Sequence, residues 1–433
     1  MPTAATGSHR PVLATLVVIF FALPAVGCRE DAEEGVKVLR VANWGGVQVD
    51  SEFMRLERKI REEFEQLHPG VRVRFEQIPG PGQYAPKLLM MHVTGSVPDV
   101  VHLDASSAAV FIDNGVLRDL SPFIERDADF DLEGYFENVT RIAARGDRLY
   151  AIPLDFTPMV MYYNKKLFDA AGVPYPRPGW TWDEFLETAR KLTVFPEGAR
   201  APTQYGFNFE NQPPLWMMWI WNNGGDLLDP EGRRATGYFD SPESIAAVQF
   251  LVDLMTKHRV APHLTESAAA GLDLFRAGLA AMDLKGHWMI IDYRADQMNF
   301  GVVGLPTNLP RRVTVVYEAG LAVTAHAKHP DLGWEYIKFM TSKGVQVRRV
   351  ASGLAISGNR AAAAEFAGNP VEDAFLAEVE YARPPWGAKV ERFPFIEDLV
   401  REMLEDILYS HGKLPVSKAM HETAKLIDAA LAH

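Results

Sequence analysis

Hydrophobic and polar positions in the first hundred residues follow the order strand, helix, strand, helix, strand. Residues 36–41 predict a first strand, and apolar residues three and four apart over 53–67 predict one face of a helix. Alternation over 71–76 predicts a second strand, and 98–104 predicts a short buried strand that ends at a carboxylate. Strands that alternate with amphipathic helices indicate an α/β domain with a largely parallel sheet.

Proline and capping signals predict the elements further along. Residues 79–82 predict a loop, and a helix is expected over 86–92. Two prolines in the extended run 149–158 favour a strand that crosses between lobes. Thr181 with Glu184 forms a capping box, and Ser241 before Pro242 gives a second helix start. Residues 300–305 predict a strand re-entering the first lobe, 330–340 predict a helix, and the C-terminal third is expected to be mostly helical.

Composition narrows the classes of function. The 433 residues suffice for two domains, and 48% hydrophobic with 23% charged residues predicts sizeable cores. A net charge of -12 argues against a nucleic-acid partner. One cysteine excludes an internal disulfide framework and a thiolate metal cluster, and we expect no metal site. Residues 80–85 fit only a relaxed dinucleotide pattern without a strand–turn–helix frame, so no cofactor is expected.

The N-terminus has the pattern of a targeting segment. Apolar residues 11–26 follow a short start that carries Arg10, and small residues precede Cys28. The stretch is short for a spanning helix, which needs about 20 apolar residues. It resembles a bacterial lipobox, although Ala25 stands where leucine is usual. We therefore expect residues 1–28 to be a lipoprotein signal peptide that ends at a lipidated Cys28, which anchors the protein to the membrane. The alternative is an N-terminal membrane helix in which Cys28 is incidental.

An ordered series of short motifs covers nearly the whole remaining chain. The motifs are 98–101 (PDVV), 115–120 (GVLRDL), 149–153 (LYAIP), 163–168 (YNKKLF), 181–185 (TWDEF), 221–225 (WNNGG), 281–288 (AMDLKGHW), 301–306 (GVVGLP) and 334–340 (WEYIKFM). Together they resemble the family-1 extracellular solute-binding proteins, the maltose-binding-protein-like group of ABC importers.

The resemblance implies an α/β, two-lobed periplasmic-binding-protein-like fold with a hinge and an interlobe ligand cleft. The first lobe would hold residues 36–154 and 300–350, and the second lobe 155–299 and 351–433. It further implies a monomer in the periplasm or at the cell surface that closes on a small solute, delivers it to ABC permease transmembrane subunits and is not an enzyme.

A sugar ring has apolar faces and a rim of hydroxyls, so a sugar receptor needs aromatic plates and polar groups in one cleft. Two candidates, Trp44 and Asp104, lie at predicted strand ends, where ligands of α/β sheets bind. The full set of expected ligand-binding residues is Trp44, Gly45, Tyr84, Asp104, Asp155, Thr157, Trp221, Asn222, Gly286, Trp288, Glu318 and Trp386. Of the cluster Trp216, Trp219 and Trp221, one residue is expected in the cleft, with Trp221 preferred.

Alternatives remain open at this level. Glu318 is either a ligand contact or a salt-bridge partner of Arg311 or Arg312. The chain contains no H-E-x-x-H, G-x-S-x-G or P-loop motif, but a glycoside-acting enzyme needs only two carboxylates about 5 to 9.5 Å apart, which the sequence cannot measure. A receptor that signals to a membrane sensor would have the same fold. Because the placed candidates are aromatic and acidic, we expect a neutral mono- or oligosaccharide.

Overall fold

A computed structural model describes residues 35–45, 52–79, 81–199, 201–264 and 273–432. The predicted signal segment and Cys28 lie outside the described residues. So does the side chain of Trp44, although its backbone belongs to the first strand.

Strands and helices alternate as the hydrophobic pattern predicts. The strands are β1 Lys37–Gly45, β2 Val71–Pro79, β3 Val100–Asp104, β4 Ala144–Arg145, β5 Arg148–Leu149, β6 Ile152–Pro158, β7 Val160–Asn164, β8 Met282–Lys285, β9 Phe300–Val303, β10 Thr314–Val323, β11 Ile356–Ser357 and β12 Ala382–Arg383. The α-helices are Glu52–Leu67, Pro81–Val93, Ala108–Asp113, Ser121–Arg126, Glu137–Thr140, Lys165–Ala171, Trp182–Leu192, Pro213–Trp221, Pro242–Thr256, Met289–Ala295, Pro330–Thr341, Lys343–Ala351, Arg360–Ala363, Pro370–Glu378, Phe393–Tyr409 and Val416–Leu431.

The larger sheet has the strand order β11-β6-β10-β3-β1-β2, and β12 adds to β10. Strands β1, β2 and β3 are parallel, as the alternating pattern predicts, whereas β10 runs antiparallel to both β3 and β6. Strand β10 therefore lies between β3 and β6, and Ala319 pairs with Asp104, the last residue of β3, on one side and with Asp155 in the middle of β6 on the other.

The chain crosses from the larger sheet to a smaller one within a few residues. Strand β6 belongs to the larger sheet, and β7, which begins two residues later, is the centre of the three-stranded sheet β8-β7-β9. The proline-flanked run is thus a crossing strand, as predicted. The expectation for residues 300–305 is corrected: Phe300–Val303 pairs antiparallel with β7 in the smaller sheet. The strand that returns to the larger sheet is β10, after a segment that contains two prolines.

The buried apolar residues form two hydrophobic cores, and the smaller sheet contributes to both, with Tyr162 of β7 in one core and Met161 in the other. One core contains β1, β2 and β3 residues such as Val41 and Val101, and the other contains the aromatic helix Pro213–Trp221 together with the helices Phe393–Tyr409 and Val416–Leu431. Tyr317 on β10 packs against both cores. The structure is therefore two-lobed with mixed α/β content, in agreement with the fold predicted from the motifs.

Local signals at helix starts are confirmed in detail. The Thr181 side chain accepts from the backbone N–H of Glu184, and the Glu184 carboxylate accepts from the backbone N–H of Thr181, which completes the capping box. Ser241 caps the helix Pro242–Thr256 by accepting from the backbone N–H of Ser244. In the described part of the chain, no helix has both the length and the apolar character needed to cross a membrane.

Candidate ligand-binding cleft

A cleft of about 650 Å³ is lined mainly by residues of β3, β6 and β10 and of the helices Pro81–Val93, Pro213–Trp221 and Phe393–Tyr409. Six residues expected from the sequence line it: Tyr84, Asp104, Asp155, Thr157, Trp288 and Glu318. Further residues of its wall were not expected, among them Ser106, Phe156, Pro214, Tyr317, Leu354 and Glu397. Volumes of roughly 300 to 1,000 Å³ are typical of small-molecule sites, and the combination of apolar walls with a few polar groups is typical as well.

The floor of the cleft is built from three adjacent strands. Asp104 ends β3, Asp155 lies on β6, and Ala319 on β10 pairs with both. Asp104 also accepts a 2.8 Å hydrogen bond from the backbone N–H of Ser106 and so caps a short turn. Burial raises the pKa of Asp104, and the hydrogen bonds from Ser106 oppose that rise.

Asp155 is held by a buried arginine. An Arg349 Nη atom lies 2.9 Å from an Asp155 carboxylate oxygen, and the other Nη pairs with Glu57. Arg349 is only 5% exposed, so its charge is neutralised inside the protein by these two carboxylates. Burial raises the pKa of Asp155, and the positive charge of Arg349 counteracts it. Asp155 therefore has an ionic partner before any ligand arrives.

Glu318 has no such partner in the described structure. It is 2% exposed, and its Oε1 makes no hydrogen bond to any described residue. Burial, followed by the nearby carboxylates of Asp155 and Asp104, raises the pKa of Glu318 well above its usual range. Of the two alternatives left by the sequence, the structure does not contain the salt bridge: Arg311 pairs with Glu380, and Arg312 pairs with Glu378. Glu318 lines the cleft instead.

A fourth carboxylate reaches the cleft from the helix Phe393–Tyr409. Glu397 lies on the same side of this helix as the buried Phe393 and Val400, and its Oε1 has no hydrogen-bond partner among the described residues. Burial raises the pKa of Glu397 to about 8, and Asp104 and Asp398 add to the effect. The signal that sequence reasoning missed is a glutamate on an otherwise apolar helix stripe.

Tyr84 links the neighbouring strands β1 and β3 at the cleft wall. Its hydroxyl donates to the carbonyl of His102 at 2.9 Å and lies 3.1 Å from the carbonyl oxygen of Ala42. Tyr317 makes a comparable link across the cleft, because its hydroxyl donates to the Pro214 carbonyl at 3.3 Å. Both hydroxyls are therefore engaged with the backbone, and these residues offer the cleft mainly their rings.

Trp288 is the aromatic plate of the opposite wall. It is 38% exposed and immediately precedes the helix Met289–Ala295. Its six-membered ring lies directly over Gly286, where a β-carbon would overlap the ring. The Thr157 hydroxyl accepts a 2.8 Å hydrogen bond from the backbone N–H of His287, between these two residues. Gly286 and Thr157 thus place Trp288, a relation that the sequence motif alone does not reveal.

The aromatic helix does not supply the plate that the sequence led us to expect. Trp216, Trp219 and Trp221 are all buried in the second core, because the helix Pro213–Trp221 is apolar on nearly every side. Asn222 is also buried; its side chain accepts from the backbone N–H of Val313 at 2.9 Å and donates to the Val313 carbonyl at 2.7 Å. Trp221 and Asn222 therefore lie outside the cleft lining.

Trp386 lines a different cavity, of about 860 Å³, which is also bordered by Arg141, Arg145 and Tyr238. The indole N–H groups of Trp386 and Trp221 both donate to the same Asp226 oxygen, at 3.0 and 2.8 Å. Arg383 pairs with the other oxygen of Asp226 at 2.9 Å and stacks 4.2 Å above Trp221. These contacts pack the region internally, which explains why Trp386 and Trp221 are found together and away from the cleft.

Trp44 and Gly45 stand at the end of β1, where they pair with Ile78 and Pro79 of β2. This is the strand end that sequence reasoning expected. The side chain of Trp44 lies outside the described residues, so its expected contact with a ligand stays a prediction.

Comparisons with known proteins agree with this architecture. The family model described as bacterial extracellular solute-binding protein matches residues 51–347. A putative binding protein of Brucella abortus is 21% identical over 299 residues, which cover 66% of this chain and 68% of that protein. An uncharacterized lipoprotein of Streptomyces antibioticus is 29% identical over 346 residues, 77% of this chain and 73% of that one.

Among solved structures, an ABC substrate-binding protein from Listeria monocytogenes in complex with cycloalternan superposes with a TM-score of 0.80. It is 21% identical, and the match covers 92% of this chain and 99% of that chain. This likeness shows a shared fold, and the family model covers well over half of the sequence. The chain belongs to the bacterial extracellular solute-binding protein family.

Proposed function

We propose that this protein is the substrate-binding component of an ABC importer, and that it captures a carbohydrate in the cleft and delivers it to a membrane permease. The observation that carries the proposal is the pairing of an exposed indole, Trp288, with four carboxylates in one cleft between two lobes. Indole faces stack on the C–H faces of sugar rings, and carboxylates accept strong hydrogen bonds from hydroxyls. The cycloalternan bound to the Listeria protein supports this ligand class.

Closure around the ligand is the step that would prepare delivery. The lobes meet at the crossing from β6 to β7 and at β10, and Tyr317 contacts both cores. Hinge closure in two-lobed receptors is driven by contacts that both lobes make to the same ligand. Glu318 lies on β10 of the larger sheet, and Trp288 follows β8 of the smaller sheet; both line one cleft and are suited to that role.

The cleft is proposed to bind without chemistry. The family binds solutes, and the ligand is expected to leave the protein unchanged. In the same proposal, Cys28 carries the lipid anchor that keeps the protein at the outer face of the membrane, a position for which the lipoprotein relative gives support.

The test is a thermal-shift screen of residues 29–433 against mono- and oligosaccharides, with mass spectrometry of the ligand after incubation. A saturable rise in melting temperature with intact ligand supports the receptor, because a ligand that binds only the folded state stabilises it by mass action. If a glycoside is recovered cleaved, the protein is a glycoside-acting enzyme and the receptor proposal is wrong. A broad panel without any shift would overturn the carbohydrate assignment.

A further inference from the structure

The lining of the cleft is acidic without compensation. Among the described residues that form it are four carboxylates, namely Asp104, Asp155, Glu318 and Glu397, and no lysine, arginine or histidine. Arg349 contacts one of these four carboxylates, Asp155, and it is also paired with Glu57. Among the residues that the structure describes, Asp104, Glu318 and Glu397 therefore have no cationic partner.

Glu318 provides a second indication that the acidic lining binds a ligand. It is almost completely buried, lines the cleft, and has a carboxylate oxygen with no hydrogen-bond partner in the described structure. Ionisation of a buried carboxyl that lacks a partner costs several kcal/mol, so such a group takes up a proton instead, whereas a glutamine at the same place would accept from hydroxyls without that penalty. A cleft with three unpaired carboxyl groups is therefore less favourable for a neutral sugar than a cleft with amide side chains at the same positions.

We infer that the natural ligand is an amine-bearing saccharide, whose ammonium group is received by the carboxyls of Glu318 and Glu397 while a sugar ring stacks on Trp288. This inference rests on the proposed function and narrows its ligand class. An ammonium offers three donors and one positive charge, which matches several acceptors gathered in a low-dielectric site. It also departs from the neutral sugar expected from the sequence.

The shape of the cleft favours an organic cation over a metal ion. Within the described residues, no group of three or more His, Cys, Asp or Glu side chains is arranged to hold a metal. The remaining wall is apolar and includes Phe156, Pro214 and Leu354. A ligand that fills about 650 Å³ of such a cleft has a ring system as well as a charge.

The groups around these carboxylates determine how many protons are released when a ligand binds, which can be measured in addition to affinity. Glu318 faces Asp104 and Asp155, of which Asp155 is paired with Arg349. Glu397 faces Asp104 and Tyr317 and has Asp398 beside it. Burial and the neighbouring carboxylates raise the pKa of Glu318 and Glu397, and burial raises that of Asp104. Because the pKa of Glu397 is raised to about 8, this carboxyl retains its proton near neutral pH in the empty cleft. An ammonium stabilises the ionised forms and therefore expels protons on binding, whereas a neutral sugar does not.

The experiment is calorimetric titration of residues 29–433 with matched saccharides. Glucosamine, glucose and N-acetylglucosamine differ only at C2, and their β-1,4 oligomers are the chitosan, cello- and chitin oligosaccharides. Galactosamine and mannosamine with their hydroxyl and acetamido counterparts complete the set, and spermidine and calcium chloride serve as non-saccharide cations. Titration in two buffers of different ionisation enthalpy measures the number of protons released on binding.

Three variants test which carboxyls receive the ammonium group. Glu318→Gln and Glu397→Gln remove the proposed acceptors. Glu402→Gln changes an exposed glutamate on the same helix as Glu397 and is the charge-matched control.

The inference predicts that an amine-bearing saccharide binds about tenfold or more tightly than its hydroxyl counterpart, with net proton release. The ratio should fall toward one in Glu318→Gln and in Glu397→Gln but not in Glu402→Gln. If the hydroxyl or acetamido form binds equally well, or if spermidine or calcium binds as tightly as the amino sugar, the inference is overturned while a carbohydrate receptor can stand. If no saccharide binds, the proposed function fails and the inference fails with it.

Discussion

The Trp288 ring lies over the backbone of Gly286 with no room for a β-carbon between them. Gly286→Ala is therefore expected to push the ring out of position. Since the ring is partly exposed, it can move at a stability cost below about 1.5 kcal/mol, the range for a strained side-chain rotamer. Affinity for the saccharide should fall about tenfold, because the stacking contact is lost.

A double-mutant cycle checks this relation. In Trp288→Ala the ring is absent, so adding Gly286→Ala to this variant should lower its saccharide affinity by less than about twofold. Two independent, additive losses would show that Gly286 acts on the ligand by a route other than Trp288. Calorimetric titration of the four proteins gives the comparison.

The raised pKa of Glu397 predicts a pH-dependent stability for the empty protein. Its folded-state pKa of about 8 lies above its ordinary value of 4.5, so the folded state holds this proton more tightly than the unfolded state. The resulting stabilisation is complete below the ordinary pKa and is lost as pH rises through about 8. Glu397→Gln should therefore be more stable than the wild type at about pH 8.5, by roughly 1 kcal/mol or more.

Comparison of the wild type with Glu397→Gln isolates this group from other buried ones. Asp283, with a pKa raised to about 7 by burial, changes stability in the same direction, and His102, with a pKa lowered to about 3, changes it in the opposite direction as pH falls. Both remain in the variant. Denaturant unfolding at about pH 5.5 and 8.5 supplies the data, and an advantage of Glu397→Gln that grows toward low pH would refute the assignment.

Two adjacent arginines offer a matched test of buried and exposed charge. Arg349 is buried between Glu57 and Asp155, whereas Arg348 pairs with Glu63 at the partly exposed surface. Arg349→Met leaves two buried carboxylates without a cation, and we expect a loss of about 3 to 5 kcal/mol in the free energy of unfolding. Arg348→Met should lose less than about 1 kcal/mol. Similar losses in the two variants would mean that the buried triad has no special role.

Substitution of Trp386 tests which of the two cavities binds the saccharide, because Trp386 lines only the larger one. Trp386→Phe removes the indole donor to Asp226 while keeping most of the aromatic packing, so stability should fall by roughly 1 kcal/mol. Affinity for the saccharide should change by less than about twofold, since Trp386 lines the other cavity. A tenfold loss of affinity with intact folding would move the binding site to that cavity.

The sequence predicted best those features that depend on local pattern. The capping box at Thr181 and the strand that ends at Asp104 follow from spacing within a few residues. The motif around Trp288 placed that residue at the cleft through the family resemblance. What a residue touches through space was harder to predict. Trp221 and Trp386 were expected to face a ligand, but a single carboxylate, Asp226, holds both of them.

The residues that sequence reasoning missed reach the cleft through long-range packing. Glu397 is nearly 300 positions from Asp104 in the chain, and only the docking of its helix brings the two carboxylates together. The strand Phe300–Val303 has an apolar pattern that fits either sheet, and it pairs with β7 in the smaller one. Periodicity predicts that a strand exists but does not choose its neighbours.

Removal of the Trp288 side chain tests the central claim most directly. The measurement is the dissociation constant of the saccharide that gives the largest thermal shift, determined for the wild type, Trp288→Ala and Tyr409→Ala. Tyr409 is an exposed aromatic at the end of the helix Phe393–Tyr409 and outside the cleft lining. The account predicts about a tenfold or greater loss for Trp288→Ala and no change for Tyr409→Ala. Wild-type affinity in Trp288→Ala would contradict the assignment of this cleft as the carbohydrate site.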